Sequence, residues 1–530
     1  MDQIVKALSN PQAYAHATDA ITVVETHISW VFITKLWVYK VKKTLDLGFL
    51  DFSTLEKRRH FCYEELRLNR RLCPEIYHSV VPIVHTGETF LVDAEGGEIV
   101  DYAVKMVRFD RTMELDRMLA QKLLTEEHIN TLAHLIAAFH TGLASVPAET
   151  GFGHPDNLVK PMLHNFNSME PVISGKDKIE QLALLKKLTI QEHQRLYPLL
   201  LRRKHDGFIR QCHGDMHTGN MVLWNKKLLI FDCIEFNETL SNIDVISDLA
   251  FLFMDLEHGG EPELAWRLLN NYVMETGDYA ALPLLGFYAL YRAMVRAKVT
   301  AIRYEQTVDA VQSETILNEH RSYIAHALSS IRTKQPILII TFGVSGSGKT
   351  VVSGNIAQKL HGIHIRSDIE RKRLAGLKPL ERNQERNALY SEEISLQTYR
   401  RLLDVATICL KAGISIIVDA TFLKRCHRKM FMELAKELKA PCRILHCYAL
   451  ESVLMERVRN RALMDNDASD ADTEVLMMQF ERQEMLTEGE KKIAIAIDTE
   501  EKMDAAAIAM LLQSNPHLKN PTSHQEKHNE

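Results

Sequence analysis

The sequence predicts two domains in series, an α+β domain followed by an α/β domain built on a parallel sheet. Three observations predict it. The 530 residues exceed what one hydrophobic core usually serves. The first part passes from a group of short strand-like segments into long helical stretches, and the last part alternates short β-branched runs with helical ones. A composition of 46% hydrophobic and 25% charged residues belongs to a chain with a packed core and excludes fibrous classes.

Residues 21–43 are rich in β-branched and aromatic side chains and read as antiparallel strands. A helix follows from Thr54 to Leu72, and Cys73-Pro74 stops it. Strand-like runs at 79–85, 90–93 and 102–108 precede a helical region over 126–144. The last helix of this domain covers 313–331. The polar, proline-terminated joint at 332–336 then sets the domains at 1–332 and 333–512. Five strand-like runs, 337–341, 364–367, 415–419, 443–449 and 493–498, build the parallel sheet. Residues 513–530 are polar without periodic apolar positions and are expected to be disordered.

A net charge of -5 exerts no global pull toward nucleic acid or anionic membrane. The apolar stretch 28–41 is too short to span a bilayer and is interrupted by Lys35 and Lys40. The N-terminus has no basic start or apolar run of a secretion signal. Eight scattered cysteines without a Cys-x-x-Cys pair fit reduced thiols, so a cytoplasmic protein is expected, with Cys212 and Cys233 as packing residues.

The run His213-Gly214-Asp215-Met216-His217-Thr218-Gly219-Asn220 is followed by a hairpin-like stretch, 221–231, that ends in Asp232. An Asp and an Asn five residues apart on one loop can hold a substrate hydroxyl and a magnesium ion together. An acid at the end of the next hairpin supplies a further oxygen ligand. With Asp248-Leu249-Ala250 downstream, residues 20–330 resemble the aminoglycoside phosphotransferase and choline-kinase-like branch of the protein-kinase fold. The resemblance implies a two-lobe domain in which Asp215 is the catalytic base or hydroxyl-positioning acid, Asn220 and Asp232 bind magnesium, and Asp248 braces the loop. It also implies that Lys40 neutralises ATP phosphates and is held by Glu65. Lys42 stays open as the alternative, because alternation puts both lysines on one face of a strand. The small lobe lacks a Gly-x-Gly-x-x-Gly loop, and Thr34-Lys35-Leu36 forms its first hairpin without glycine.

The apolar run 336–342 leads into Gly343-Val344-Ser345-Gly346-Ser347-Gly348-Lys349-Thr350, a Walker A pattern in strand-loop-helix context. Its backbone N–H groups wrap phosphates, Lys349 reaches the outer ones, and Thr350 offers a magnesium ligand. Asp419 closes a strand and is the second candidate for the magnesium shell. Ala420 stands where P-loop motors commonly place a water-activating glutamate, which tilts the reading toward transfer to a hydroxyl. Asp368 follows the second strand, where an open parallel sheet presents its crevice, and is the candidate for orienting the acceptor. It also reads as a helix N-cap. Residues 456–482 read as a lid in which Arg457 and Arg461, four apart, share a helical face and neutralise the transferred phosphate; a solvated charged helix is the alternative. Residues 334–512 resemble the P-loop small kinases related to gluconate kinase, polynucleotide kinase and zeta-toxin-like enzymes.

The whole chain resembles the bacterial fusion family in which an aminoglycoside phosphotransferase-like domain precedes an AAA-type P-loop domain. That resemblance implies ATP and Mg2+ as cofactors, and two sites that each transfer the γ-phosphate to a hydroxyl of a small-molecule acceptor. A nucleotide sensor with little turnover and, for the second domain, a polynucleotide 5'-end kinase are the alternatives.

Overall fold

The computed structural model describes residues 2–48, 50–169, 176–330, 335–378, 381, 391–464, 469 and 471–513. The tail from 514, and with it most of the segment expected to be disordered, lies outside them, as do 465–468 and 470 of the expected lid. Among the described residues no helix is long and apolar enough to cross a membrane.

Two compact units emerge. One is formed by Met1–Glu261 with Leu285–Ser330, the other by Pro262–Leu284 with Ile331–Glu530. This division differs from the contiguous split expected at 332/333 in where it puts the helix Pro262–Thr276, and the bonds of that helix give the reason. Its Asn270 accepts a hydrogen bond from the His364 N–H at 2.7 Å and donates to the Gly362 carbonyl at 2.9 Å. The side-chain amide thereby supplies an edge strand with the pairing that a further strand would give. Glu263 adds an ion pair to Lys359 at 2.7 Å. An amphipathic pattern states that a helix packs, not what it packs against.

The first unit carries a six-stranded antiparallel sheet of β1 (Thr22–Glu25), β2 (Ser29–Ile33), β3 (Trp37–Lys42), β4 (Tyr77–His85), β5 (Phe90–Val92) and β6 (Glu98–Val107), in the order β1-β2-β3-β6-β4-β5. Phe32, Tyr39, Val41, Val81, Ile83 and Ala103 form its core. The helix Leu55–Asn69 lies against β6 and β4. Its Thr54 side chain accepts from the Lys57 N–H, a standard N-cap. It ends three residues before the expected Leu72, where the chain turns ahead of Pro74. Two short pairings follow the large helices of this unit: β7 (Ile209–Gln211) with β10 (Asn242–Asp244), and the hairpin β8 (Met221–Trp224) with β9 (Lys227–Ile230). The helix Val245–His258 is buried on nearly all sides, which its almost continuous apolar sequence requires.

The second unit holds five parallel strands, β11 (Leu338–Phe342), β12 (Ile363–Arg366), β13 (Ile416–Asp419), β14 (Cys442–Tyr448) and β15 (Ala494–Asp498), ordered β12-β13-β11-β14-β15. All five fall on the expected runs. Central β11 is buried at every residue, as a largely apolar strand covered on both faces must be, and the hydroxyl of its one polar residue, Thr341, donates to the Ala420 carbonyl. The loops at the carboxyl ends of β11, β12 and β13 carry the residues of interest, as expected of an open parallel sheet.

Candidate active sites

In the first unit the loop between β7 and β8 is fixed before any substrate arrives. Gly214 sits at φ +88°, and a Cβ there would lie 2.9 Å from the Leu240 carbonyl oxygen, so only glycine fits. Asp248, in the first turn of the helix Val245–His258, accepts the N–H groups of His213 at 3.0 Å and Gly214 at 2.9 Å, and also faces His140 Nε2 at 3.2 Å. Arg292 donates to the Gly214 carbonyl at 2.9 Å. The His213 Nε2 lies 2.8 Å from the Phe231 carbonyl while its Nδ1 accepts from the Asp215 N–H at 3.2 Å. That pattern is the neutral Nε2–H tautomer, and burial holds the ring below its ordinary value.

Asp215 and Asn220 meet directly: the Asn220 Nδ2 donates to the Asp215 backbone carbonyl and to its Oδ2, both at 3.0 Å. With its nitrogen spent this way, Asn220 keeps Oδ1 as an acceptor toward a cation. Burial pushes the Asp215 carboxyl up, but His217, His213 and Arg292 outweigh it and hold it below the ordinary carboxylate value. Asp215 is therefore ionised at neutral pH.

Asp232 follows the β8-β9 hairpin at φ +65°, a left-handed backbone rarely adopted outside glycine and one that costs roughly 1–3 kcal/mol. Its N–H donates to the Tyr77 hydroxyl at 3.3 Å and its Oδ1 accepts from Lys40 Nζ at 2.6 Å. Lys40 also pairs with Glu65 Oε1 at 2.9 Å. The second Glu65 oxygen takes Lys42 at 2.8 Å, and Lys42 pairs in turn with Glu235. Strand alternation brings both lysines to Glu65; the one that also reaches Asp232 is Lys40. Burial raises the Glu65 carboxyl, yet the two lysines win and depress it to about 2. Burial alone dominates at Glu235, which is pushed above its ordinary value.

Two ammonium groups thus face three carboxylates, which leaves one negative charge over. An excess of carboxylate oxygen at Asp232, beside Asn220, suits a hard cation such as magnesium. Sequence reasoning missed Glu235 and Arg292. Glu235 had a signal: two lysines on one strand face demand more counter-charge than a single glutamate once both are buried.

In the second unit Gly343 closes β11 at φ +150°, with a Cβ position only 2.3 Å from the Cys447 carbonyl oxygen, so the loop can start only with glycine. Val344 packs under the loop against Leu454, Val458 and Leu476. Lys349 opens the helix Lys349–Leu360 and folds back, donating to the Val344 carbonyl at 2.7 Å and lying 3.4 Å from the Ser347 hydroxyl. Burial lowers its ammonium below the ordinary value, partly countered by Asp419. Asp419, at the end of β13, lies 3.2 Å from His364 Nε2; burial raises it, but His364 and Lys349 hold it at about 2.

Ser345, Gly346, Gly348, Lys349 and Thr350 line one cavity of about 470 Å³ together with Asp368, Asp419, Arg457 and Arg461. Asp368 belongs to the helix Ser367–Leu374, whose N-cap position is Arg366, so the N-cap alternative for Asp368 is not realised. Its carboxylate pairs instead with Arg371 at 2.6 Å. Burial raises Asp368, but Arg371 and Arg366 bring it below its ordinary value. Arg457 donates to the Thr499 hydroxyl at 2.8 Å and to its carbonyl at 2.9 Å, and approaches the Gly346 carbonyl at 3.4 Å. Arg461 donates to the Ala471 carbonyl at 3.1 Å. Both arginines come from the helix Glu451–Met464, are half-buried and face the cavity. Gln479, on the helix Thr473–Arg482, escaped sequence reasoning; its amide accepts from the Ser345 N–H at 2.7 Å and donates to the Ser345 hydroxyl at 3.1 Å. Cys212 and Cys233 are buried, and burial pushes the Cys233 thiol up to about 12, as inert packing residues require.

Comparison with known proteins agrees with the two halves. Residues 62–285 match the model of the phosphotransferase enzyme family, and 338–486 match an AAA domain model. An uncharacterised protein of Mycobacterium tuberculosis is 28% identical over 460 residues, covering 85% of this chain and 88% of its own length. Among solved structures, an ethanolamine kinase of Plasmodium vivax is 10% identical, covering 59% of this chain and 82% of that one, with a TM-score of 0.37. A gluconokinase of Sinorhizobium meliloti is 22% identical over 34% of this chain and 91% of that one, with a TM-score of 0.24.

Proposed function

We propose, for a chain that joins a phosphotransferase-family domain to an AAA-type P-loop domain, a bifunctional ATP- and magnesium-dependent phosphotransferase. Each unit transfers the γ-phosphate of ATP to a hydroxyl of a small molecule. The observation that carries the reading is the convergence of Asp215, Asn220, Asp232, Lys40 and Glu65, drawn from elements up to 192 residues apart, beside an intact Walker A loop elsewhere in the chain. A pure sensor has no use for an ionised, oriented acid at Asp215.

In the first unit Asp215 orients the acceptor hydroxyl and receives its proton, while Asn220 holds that carboxylate in place. Lys40, released from Asp232 when nucleotide enters, neutralises phosphate and stays anchored on Glu65. Asn220 and Asp232 would hold magnesium in the first unit, Thr350 and Asp419 in the second. The bound ion supplies charge neutralisation between phosphate oxygens. In the second unit the loop amides and Lys349 cradle phosphates, Arg457 and Arg461 face the transferred group, and Asp368 orients the acceptor. Eight free cysteines and the absence of a membrane-crossing helix among the described residues support a cytoplasmic site of action.

The test is transfer of labelled γ-phosphate by the intact protein to sugars, amino alcohols, nucleosides and aminoglycosides, repeated with Asp215→Ala and Lys349→Ala. Products lost in one variant each are expected. ATP binding without any labelled product would replace the enzyme by a nucleotide sensor.

A further inference from the structure

The cavity of the second unit holds more positive charge than a nucleotide needs. Among the described residues, seven lysine and arginine side chains line it against three carboxylates. MgATP brings about two negative charges, which leaves about two positive charges unanswered. Lys349, Arg457 and Arg461 account for the phosphates, Arg371 is tied to Asp368 at 2.6 Å, and Arg366 adds to the positive charge that lowers Asp368 and Asp419.

The remainder sits on other elements. Lys424 precedes the helix Arg425–Glu437, and its closest acid, Glu392, is 3.4 Å away with a side chain 92% exposed, a pairing that water largely screens. Arg482 ends the helix Thr473–Arg482 and, among the described residues, makes no ion pair. His427, one turn into Lys424's helix, stacks on Tyr399 with ring centroids 3.8 Å apart, and both rings line the cavity. A flat wall with a cationic rim therefore shares one cavity with Asp368.

We infer that the acceptor of this unit is an anionic alcohol, a small hydroxyl-bearing carboxylate or phosphate ester whose acidic group is seated by Lys424 and Arg482. The inference rests on the phosphotransferase reading and specifies its substrate class. A cavity of about 470 Å³ lies in the range of small-molecule pockets, roughly 300–1,000 Å³, and a net charge of -5 gives the chain no global pull toward a polynucleotide. In the transfer, the acceptor oxygen forms a bond to the γ-phosphorus as the bond from that phosphorus to the β–γ bridging oxygen breaks. ADP leaves with the electron pair, and the hydroxyl proton passes to Asp368 and then to solvent.

The experiment uses the full chain carrying Asp215→Ala, so that the first unit is silent, with labelled ATP. Acceptors are offered in pairs: gluconate with glucitol, glycerate with glycerol, glucose 6-phosphate with glucose, and a 5'-hydroxyl oligonucleotide beside them. Label on an acid is expected, with KM about 10-fold or more below that of its neutral partner. The carboxylate and phosphate arms then say which anion is taken. Lys424→Met and Arg482→Met should each raise the KM of that acid about 10-fold while the KM for ATP holds within about twofold. Equal use of a neutral partner, label on the oligonucleotide alone, or an acid whose KM ignores both variants would each overturn the inference and leave the kinase standing. No label anywhere, with ATP bound, would bring down the phosphotransferase reading and the inference together.

Discussion

The two candidate nucleotide sites hold their charge by opposite means. The first unit uses charged side chains from a strand, a helix and one loop, chained as Asp232, Lys40, Glu65, Lys42 and Glu235, each ion-paired to its neighbour. The second uses one loop of consecutive backbone amides and a single buried ammonium, Lys349, which meets only a carbonyl and a hydroxyl within hydrogen-bond reach. The first arrangement is rigid and self-satisfied without ligand, so nucleotide must displace an internal partner of Lys40. The second leaves a buried ammonium with no direct ion pair among the described residues, only the longer-range pull of Asp419, so nucleotide relieves it. One chain thus pairs a site whose charges stabilise the fold with a site whose charge waits for the ligand.

The largest break in the comparison is catalytic. Asp215→Ala should lower transfer by the first unit about 10²-fold to 10⁴-fold, the range for a positioned general base, and leave the Lys349-dependent product unchanged. Lys349→Ala should do the converse. Loss of both products in either variant, read in the same labelled-phosphate assay, would mean that the sites are coupled rather than parallel.

Next in size is stability. Glu235→Leu leaves Lys42, whose side chain is 0% exposed, with Glu65 as its one remaining carboxylate, shared with Lys40, and should cost up to about 3 kcal/mol in urea unfolding. The double variant Lys42→Met/Glu235→Leu should recover most of that, because two apolar groups replace a pair. Lys349→Ala, by contrast, removes a buried ammonium that no carboxylate contacts directly and that Asp419 offsets only in part, and should change stability by less than about 1 kcal/mol or raise it. A large loss there would erase the proposed difference between the sites.

Acid sharpens the same point. Glu65 is held at about 2 against an ordinary 4.5, so its contribution is complete above 4.5 and is lost as pH falls through about 2. Asp419, at about 2 against 3.8, loses its share over a narrower window that opens lower. Glu235 works the other way: its value is raised, so it favours the fold when protonated and subtracts as pH climbs through that raised value. Trp30, Trp37 and Trp224 report on the first unit and Trp266 on the second. Glu65→Gln should flatten the first unit's loss between 4.5 and 2 and leave the Trp266 signal unmoved. A Trp266 response to Glu65→Gln would show that the units do not titrate separately.

The contrast also explains what could be read before the structure. A backbone cradle needs glycines at fixed offsets, so Gly343 to Thr350 and its strand stand out in sequence, and all five parallel strands were placed. Asp215 and Asn220 are five apart and act on each other, so spacing found them too. Lys40 and Lys42 could not be separated, because the partners that distinguish them, Asp232 and Glu235, lie 192 and 193 positions away. Arg292 stayed hidden for the same reason, 78 residues from the glycine carbonyl it holds. The bonds of Pro262–Thr276 within the second unit include an asparagine amide at a strand edge and a Glu263–Lys359 ion pair, which no periodicity encodes.

The smallest predicted effect bears on how the P-loop is covered. Gln479 spans from the lid helix to Ser345 with two hydrogen bonds, both to the loop whose amides wrap phosphate. One of them occupies the Ser345 N–H, so nucleotide and Gln479 compete for that donor or share it. If the amide acts as a latch that stays engaged, Gln479→Ala removes roughly 0.5–1.5 kcal/mol per bond, and the KM for ATP in the second unit should rise about 2-fold to 10-fold with kcat little changed. If the latch must open first, the same substitution frees the donor and KM should fall. Either sign separates a lid that closes on nucleotide from one that keeps it out, and the activity of the first unit, which lacks Gln479, should not change.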